Sequence, residues 1–183
     1  MINNKKQLLN HQIVVSLKAP IKQSGLPLIT LTCGGFPLTF LLDTGSTHCL
    51  INSSILSKIP HEEDSYRIAM YGVDGKKTEK KRVRLKLDYN DYSVYEGLFT
   101  STPLKFPKTT ATGKTVNAPI FHGILGLPFL QATGARINYR TLKAYINGLS
   151  CNIEPEIQVL QRLSTDELAE QPELLELAKE LAI

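Results

Sequence analysis

The stretch Phe40-Leu-Leu-Asp-Thr-Gly-Ser-Thr-His-Cys-Leu-Ile51 decides the fold of this 183-residue chain. Apolar residues precede Asp43, the turn-forming residues Thr44-Gly45-Ser46 follow it, and further apolar residues come after them. This order predicts a carboxylate that a buried strand delivers into a turn. Gly45 permits backbone geometry that other residues resist, and its amide can approach the carboxylate. The hydroxyls of Thr44 and Ser46 can hydrogen-bond a carboxylate or hold the turn.

Those four residues alone do not separate a functional site from an ordinary turn, because Asp, Thr, Gly and Ser are all common turn formers. A second apolar element, Gly123-Ile-Leu-Gly-Leu-Pro-Phe-Leu130, lies further along the chain. The order and spacing of the two elements resemble the retropepsin-like aspartic proteases. In this family the Asp-Thr-Gly-Ser turn holds the catalytic aspartate, which the resemblance places at Asp43. The second element crosses beneath that turn, here through Ile124, Leu125 and Gly126.

The resemblance covers residues 26–150 and implies two further hairpins. One lies where the family carries its flap, which closes over substrate, and the implied flap residues are Tyr71, Gly72, Val73, Asp74 and Gly75. Residues 134–139 and 142–146 resemble the hairpin that ends the family's core. Two residues depart from the family pattern: His122 stands where many relatives carry a small or acidic residue, and Pro128 where a polar residue is common. Proline near a helix start is tolerable, because its missing N–H would be unpaired there.

Short β-prone runs separated by turn residues predict an all-β fold, either closed or sandwiched. Gly34-Gly35 and Asp74-Gly75 each separate two such runs and indicate hairpins. The resemblance implies a closed acid-protease β-barrel with a flap hairpin and one short helix after the Ile-Leu-Gly element. Prolines, glycine and threonines between residues 101 and 118 predict a loop.

The C-terminal residues carry the main helix signals. Ser164-Thr-Asp-Glu167 is a capping box, and a stripe of leucines follows it. The expected organisation is therefore an N-terminal extension at residues 1–25, a protease domain at 26–150 and a helical tail at 151–183.

The composition is that of a soluble globular protein, with 42% hydrophobic and 21% charged residues. The three cysteines are odd in number and include no Cys-x-x-Cys pair, so we expect neither a disulfide framework nor a zinc site, and a reducing compartment fits better. The N terminus shows no apolar stretch long enough for a signal peptide. The most apolar segment, residues 26–42, is interrupted and too short for a membrane helix. We expect a cytoplasmic protein without membrane contact.

The net charge of +4 is modest, and much of it lies in a basic run from Lys76 to Lys86. A nucleic-acid-binding patch is one interpretation of this run. Its charges alternate with Val83, Leu85 and Leu87, which favours the solvated face of a strand instead. No nucleic-acid partner is expected.

Other motifs give weaker indications of chemistry. Gly113-Lys114-Thr115 resembles a phosphate loop, but the glycine required five residues earlier is Lys108. The four histidines share no metal-ligand spacing, and His61-Glu62-Glu63 lacks the second histidine of a zinc motif. Cys49 has no implied histidine partner, and buried cysteine is a common small hydrophobe. We expect no metal and no other cofactor.

One aspartate per chain implies two chains, if the family's mechanism applies. Aspartic proteases hold the attacking water between two carboxylates that share one proton. The sequence contains a single Asp-Thr-Gly, whereas a bilobal chain would be much longer and carry two. The resemblance therefore implies a homodimer that pairs Asp43 of two subunits and cleaves polypeptide substrates. The alternative interpretation is a dimerising, peptide-binding module with weak catalysis.

Overall fold

The computed structural model describes residues 26–72, 74–104, 107–109, 113, 115–117 and 121–154. They belong to two compact units, one of which comprises residues 27–104 and 121–154 and contains a β-barrel. The other contains a short hairpin between residues 107 and 117. The predicted N-terminal extension, Val73 of the predicted flap and residues 155–183 of the predicted tail lie outside the described residues.

Short strands make up most of the described chain. In order they are β1 (Leu28–Cys33), β2 (Phe36–Leu42), β3 (Leu50–Asn52), β4 (Glu62–Tyr71), β5 (Lys77–Tyr89), β6 (Tyr92–Thr102), β7 (Pro107–Thr109), β8 (Thr115–Asn117), β9 (Gly123–Leu125), β10 (Arg136–Asn138), β11 (Lys143–Ile146) and β12 (Leu149–Asn152). A 3₁₀ helix, Ser53–Lys58, follows β3. The one α-helix of the described residues, α1, spans Leu127–Thr133, and no described helix has the length and apolar character needed to cross a membrane.

Six strands close into a ring, in the order β1-β2-β9-β3-β6-β5 and back to β1. The closing contact pairs Thr32 of β1 with Asp88 of β5, and the Thr32 hydroxyl donates to the Asp88 carbonyl oxygen at 3.3 Å. Strand β4 pairs with β5 outside the ring, at the edge of the sheet. The prediction of a closed all-β fold is therefore confirmed.

The barrel interior is filled by side chains from every part of the ring. Phe40, Phe99 and Phe129 are fully buried, and the ring centroids of Phe40 and Phe99 lie 6.0 Å apart. Each such burial contributes about 1.5–3 kcal/mol relative to an exposed ring. On β5, Val83, Leu85 and Leu87 face this core and the intervening residues face solvent, which confirms the predicted solvated strand face.

The hairpins predicted around Gly34-Gly35 and Asp74-Gly75 are present as β1–β2 and β4–β5. The loop predicted over 101–118 is wrong in part, because β6 continues through Thr102 and β7 pairs with β8. The β-branched threonines in this segment suit strands, and proline is tolerated where it stands, as the first residue of β7.

The β structure also continues past the predicted boundary at residue 150. Cys151 lies in β12, and Glu154 bridges to Leu28 of β1. Cys151 and Ile153 are buried while Asn152 is exposed, which is the alternation of a strand rather than a helical stripe. Residues 151–154 therefore belong to the β core and not to a helical tail.

Candidate active site

Asp43 stands directly after the last residue of β2, where that strand runs parallel to β9. Leu42 is in register with Leu125, and the Asp43 N–H donates to the Leu125 carbonyl oxygen at 3.0 Å. The structure thus brings together the two sequence elements that suggested the site. Ile124 and Leu125 are buried beside β2 and support the backbone from which the carboxylate projects.

The residues after Asp43 form a tight turn around its carboxylate. The Gly45 N–H donates to Asp43 Oδ1 at 2.8 Å, and the Ser46 N–H lies 3.3 Å from the Asp43 carbonyl oxygen. A side chain at Gly45 would place its Cβ 3.2 Å from Oδ1, so glycine allows this close approach. Asp43 itself is half-buried. The turn therefore orients a carboxylate that solvent and ligands can still reach.

Of the two roles open to Ser46, the structure assigns it that of holding the turn. Its hydroxyl donates to the His48 carbonyl oxygen at 2.6 Å and not to the Asp43 carboxylate. Its own carbonyl oxygen accepts the Leu127 N–H at 2.8 Å, which links the turn to the start of α1. Thr44 is exposed and its hydroxyl makes no hydrogen bond within the described part of the chain. That hydroxyl is free to interact with another molecule.

Gly126 makes the crossing beneath the turn possible. A Cβ at this position would lie 2.3 Å from the His48 carbonyl oxygen and 2.6 Å from that of Ser46, which no real side chain tolerates. Gly126 is also the N-cap residue of α1, and Pro128 occupies the first turn of that helix. Proline is accommodated there, as predicted from its missing N–H.

His122 is a structural residue of the site that sequence reasoning did not identify. Its Nδ1 accepts the Thr39 N–H at 2.9 Å, and its own N–H donates to the Thr39 carbonyl oxygen at 2.7 Å. The His122 carbonyl oxygen accepts the Asn52 N–H at 2.8 Å. This histidine therefore ties the strands before and after the Asp43 turn to β9. Its only signal in the sequence was the departure from the family pattern.

The described residues of the predicted flap, Tyr71, Gly72, Asp74 and Gly75, lie at the tip of the β4–β5 hairpin. The Gly75 N–H donates to the Gly72 carbonyl oxygen at 2.9 Å, and Gly75 has a φ of 74°, a conformation that favours glycine. Asp74 Oδ1 accepts the Lys76 N–H at 3.1 Å and supports the turn. Tyr71 is 70% exposed. The tip is thus an exposed turn with its own hydrogen bonds.

The described residues give no structural support for a nucleophilic cysteine or a metal site. Cys49 is buried, and this burial raises the pKa of its thiol, which disfavours the nucleophilic thiolate. Cys33 and Cys151 are also buried free thiols. No group of three or more His, Cys, Asp or Glu side chains in the described ranges is arranged to hold a metal ion.

Comparisons with known sequences and solved structures find proteins that are similar to this chain. Residues 29–129, which include Asp43 and the first three residues of α1, match the sequence model of a family described as aspartyl protease. Among solved structures, the retroviral protease-like domain of Ddi1 from Leishmania major is similar, with 13% identity over 72% of this chain and 95% of that chain and a TM-score of 0.49. The EIAV protease in complex with the inhibitor HBY-793 shows 17% identity over 66% of this chain and 99% of that one, with a TM-score of 0.42. No curated protein sequence gives a significant match.

The close approach at Gly126 generates a stability prediction. We expect Gly126→Ala to lower the free energy of unfolding by about 3 kcal/mol, because its Cβ overlaps two backbone oxygens and the two chain segments must move apart. Gly35→Ala is the control, since its Cβ meets no atom within 4 Å and only its positive φ opposes alanine, at about 1 kcal/mol. Denaturant unfolding measures both variants. Equal midpoints would show that the crossing tolerates a side chain.

Proposed function

Because the chain belongs to the aspartyl protease family, we propose that it is an aspartic endopeptidase that hydrolyses extended polypeptides with Asp43 as its catalytic carboxylate. The observation that carries this proposal is the Asp43 turn. A half-buried carboxylate at a strand end accepts the Gly45 N–H at 2.8 Å, and its backbone is held by Leu125. The turn fixes the position of the carboxylate and leaves it accessible to a substrate.

The proposed reaction needs two carboxylates that share one proton. Two carboxylates about 3 Å apart cannot both remain ionised, so one is protonated and the other accepts a proton from the water between them. The water oxygen bonds to the peptide carbonyl carbon while the protonated carboxyl donates a hydrogen bond to the carbonyl oxygen. The carbon–nitrogen bond then breaks, and the leaving nitrogen takes up a proton from the pair.

The second carboxylate comes, in this proposal, from a second copy of the chain. The sequence has one Asp-Thr-Gly, so each subunit supplies one catalytic aspartate. A twofold axis that passes between two Asp43 side chains makes their environments equivalent, and twofold dimers are the commonest oligomers. The exposed hydroxyl of Thr44, one residue further on, is available for contacts across that axis.

The edge of β10 is the surface that we propose for this pairing. β10 ends the three-stranded sheet β10-β11-β12, and no described strand covers its outer side. A hollow of about 530 Å³ lies here beside Tyr139 and Tyr145, which are 61% and 43% exposed. Exposed aromatic residues next to an open strand edge are typical of interfaces. Antiparallel pairing about Ile137 would set Arg136 opposite Asn138 of the partner subunit, a pair that can hydrogen-bond.

The β4–β5 hairpin is the proposed flap of this enzyme. Its exposed tip turns through Gly72 and Gly75, and such hairpins open and close as lids over active sites. In this proposal the hairpin closes over an extended peptide that lies along the two Asp43 turns. Closure excludes water other than the attacking molecule and holds the peptide in place.

The first functional prediction concerns Asp43. We expect Asp43→Asn to abolish peptide cleavage without loss of fold or dimer, because an amide can neither accept the water's proton nor share one with its partner. A peptide library at acidic and neutral pH provides the assay, with circular dichroism and mass as checks. Asp91→Asn is the control, since Asp91 lies in the exposed β5–β6 turn at a φ of 65° that asparagine also adopts. Cleavage by Asp43→Asn at the wild-type rate would rule out this mechanism.

The second functional prediction concerns the edge of β10. We expect Tyr139→Glu with Tyr145→Glu to convert the dimer to monomer, because like charges would face each other across the twofold axis. Sedimentation velocity measures the mass, and peptide cleavage should fall with the dimer fraction. Tyr92→Glu, at the first residue of β6, which is 64% exposed, should leave both the mass and the cleavage unchanged. A double variant that stays dimeric would place the interface elsewhere.

A further inference from the structure

One face of the flap hairpin continues the face of β5 that packs into the barrel core. Side chains alternate between the two sides of a strand, and Val83, Leu85 and Leu87 are buried on one side. Towards the tip the same side carries Lys81, Glu79 and Lys77. The β4–β5 register sets Arg67, Ala69 and Tyr71 directly opposite these three residues. We call this set of six the core-side face, and all six residues are exposed.

Positive charge exceeds negative charge on the core-side face, which carries three cations and one carboxylate. Arg67 is in register with Lys81, and like charges directly opposite each other destabilise a strand pair. Neither Arg67 nor Lys77 forms an ion pair within the described residues. Lys81 Nζ lies 3.8 Å from Glu63 Oε1, but both side chains are more than half exposed, so this pair contributes little. Glu79 is the one carboxylate of the face itself.

The opposite side of the same strand is arranged differently. There Arg82 contacts the Asp64 carboxylate, and both groups are largely buried. Arg84 is in register with Glu62 of β4, and Lys86 with Glu96 of β6. These three cations thus have a carboxylate on a neighbouring strand, although Lys80 of the same side is in register with Ile68. On the core-side face only Lys81 lies near such a carboxylate, and Arg67 and Lys77 have no carboxylate in register with them. The excess of positive charge on the core-side face suits an anionic group from another molecule.

We propose that the core-side face selects polypeptide substrates that carry acidic side chains, Asp or Glu, in the segment beneath the flap. The proposal rests on the function proposed above, in which this hairpin closes over an extended peptide. Arg67 and Lys81 attract the carboxylate and hydrogen-bond it, and Arg can do so with two parallel N–H groups. The exposed Tyr71 offers a ring and a hydroxyl beside Lys77, its partner in register.

Paired peptides that differ only by Glu or Asp against Gln or Asn test this selection. We expect the wild-type protein to show a kcat/KM about three- to tenfold higher for the acidic member, the range for one or two exposed charge contacts. Arg67→Ala with Lys81→Ala should remove the preference and leave cleavage of the amide peptide. Lys80→Ala with Lys86→Ala removes equal charge from the other side and should retain the preference. High salt should weaken it in both the wild type and the control.

A binding measurement separates the two levels of the proposal. Fluorescently labelled peptides of both kinds are titrated with Asp43→Asn protein, with and without the Arg67→Ala and Lys81→Ala changes. If the wild-type protein cleaves neither peptide but the acidic peptide still binds more tightly through Arg67 and Lys81, the proposed peptidase activity is contradicted. The proposed selection of acidic peptides is then supported. If both peptides are cleaved at equal rates and bind with equal affinities, the preference for acidic peptides is overturned and the peptidase activity is not. The proposed selection would also be overturned if a single-stranded oligonucleotide displaced the acidic peptide and bound with tenfold higher affinity. That result would indicate a nucleic-acid-binding surface.

Discussion

The close approach of two chain segments at Gly126 is the constraint on which the rest of the structure depends. The His48 and Ser46 carbonyl oxygens occupy the space that any side chain at this position would need. Because Gly126 has no side chain, the two segments come close enough for the Asp43 N–H to donate to the Leu125 carbonyl oxygen at 3.0 Å and the Leu127 N–H to that of Ser46 at 2.8 Å. The Asp43 turn and the start of α1 are thereby fixed to each other through backbone atoms. The position of the carboxylate follows from main-chain geometry rather than from flexible side chains.

The parts of the fold that arise from neighbouring residues could be predicted from the sequence. Gly34-Gly35 and Asp74-Gly75 signalled their hairpins because tight turns require backbone angles that glycine adopts. The Asp43 turn and the Gly126 crossing were predicted because their residues resemble a family in which the two elements meet. The loop prediction over 101–118 failed in part because proline and glycine mark turns without excluding short strands between them.

Contacts between residues far apart in sequence could not be predicted in the same way. The pair that closes the barrel, Thr32 and Asp88, and the bond between His122 and Thr39 depend on how the whole sheet curls. Neither has a local signal, because a threonine hydroxyl or a histidine nitrogen has many candidate partners. The partner of Ser46 was open for the same reason, since its hydroxyl can reach the carboxylate or a carbonyl oxygen. Its choice of His48 makes Ser46 part of the support for the turn.

In the proposed function, the arrangement as a whole is half of a catalytic site. A single, fixed and accessible carboxylate has little use in peptide hydrolysis by itself, because the reaction needs a proton donor and a proton acceptor at once. In the same proposal, the open edge of β10 contacts a second subunit, and the positively charged face of the β4–β5 hairpin contacts a substrate. The proposed enzyme thus forms when two such chains come together around a peptide.

Subunit mixing tests this central claim most directly. A constant amount of wild-type protein is titrated with Asp43→Asn protein, and exchange of subunits is followed by mass with isotopically labelled chains. If each site needs Asp43 from both subunits, equal amounts should place half of the wild-type chains in inactive mixed dimers and reduce activity to about half. Asp43→Asn protein that also carries Tyr139→Glu and Tyr145→Glu should not inhibit. Undiminished activity in the presence of demonstrated mixed dimers would contradict the shared site.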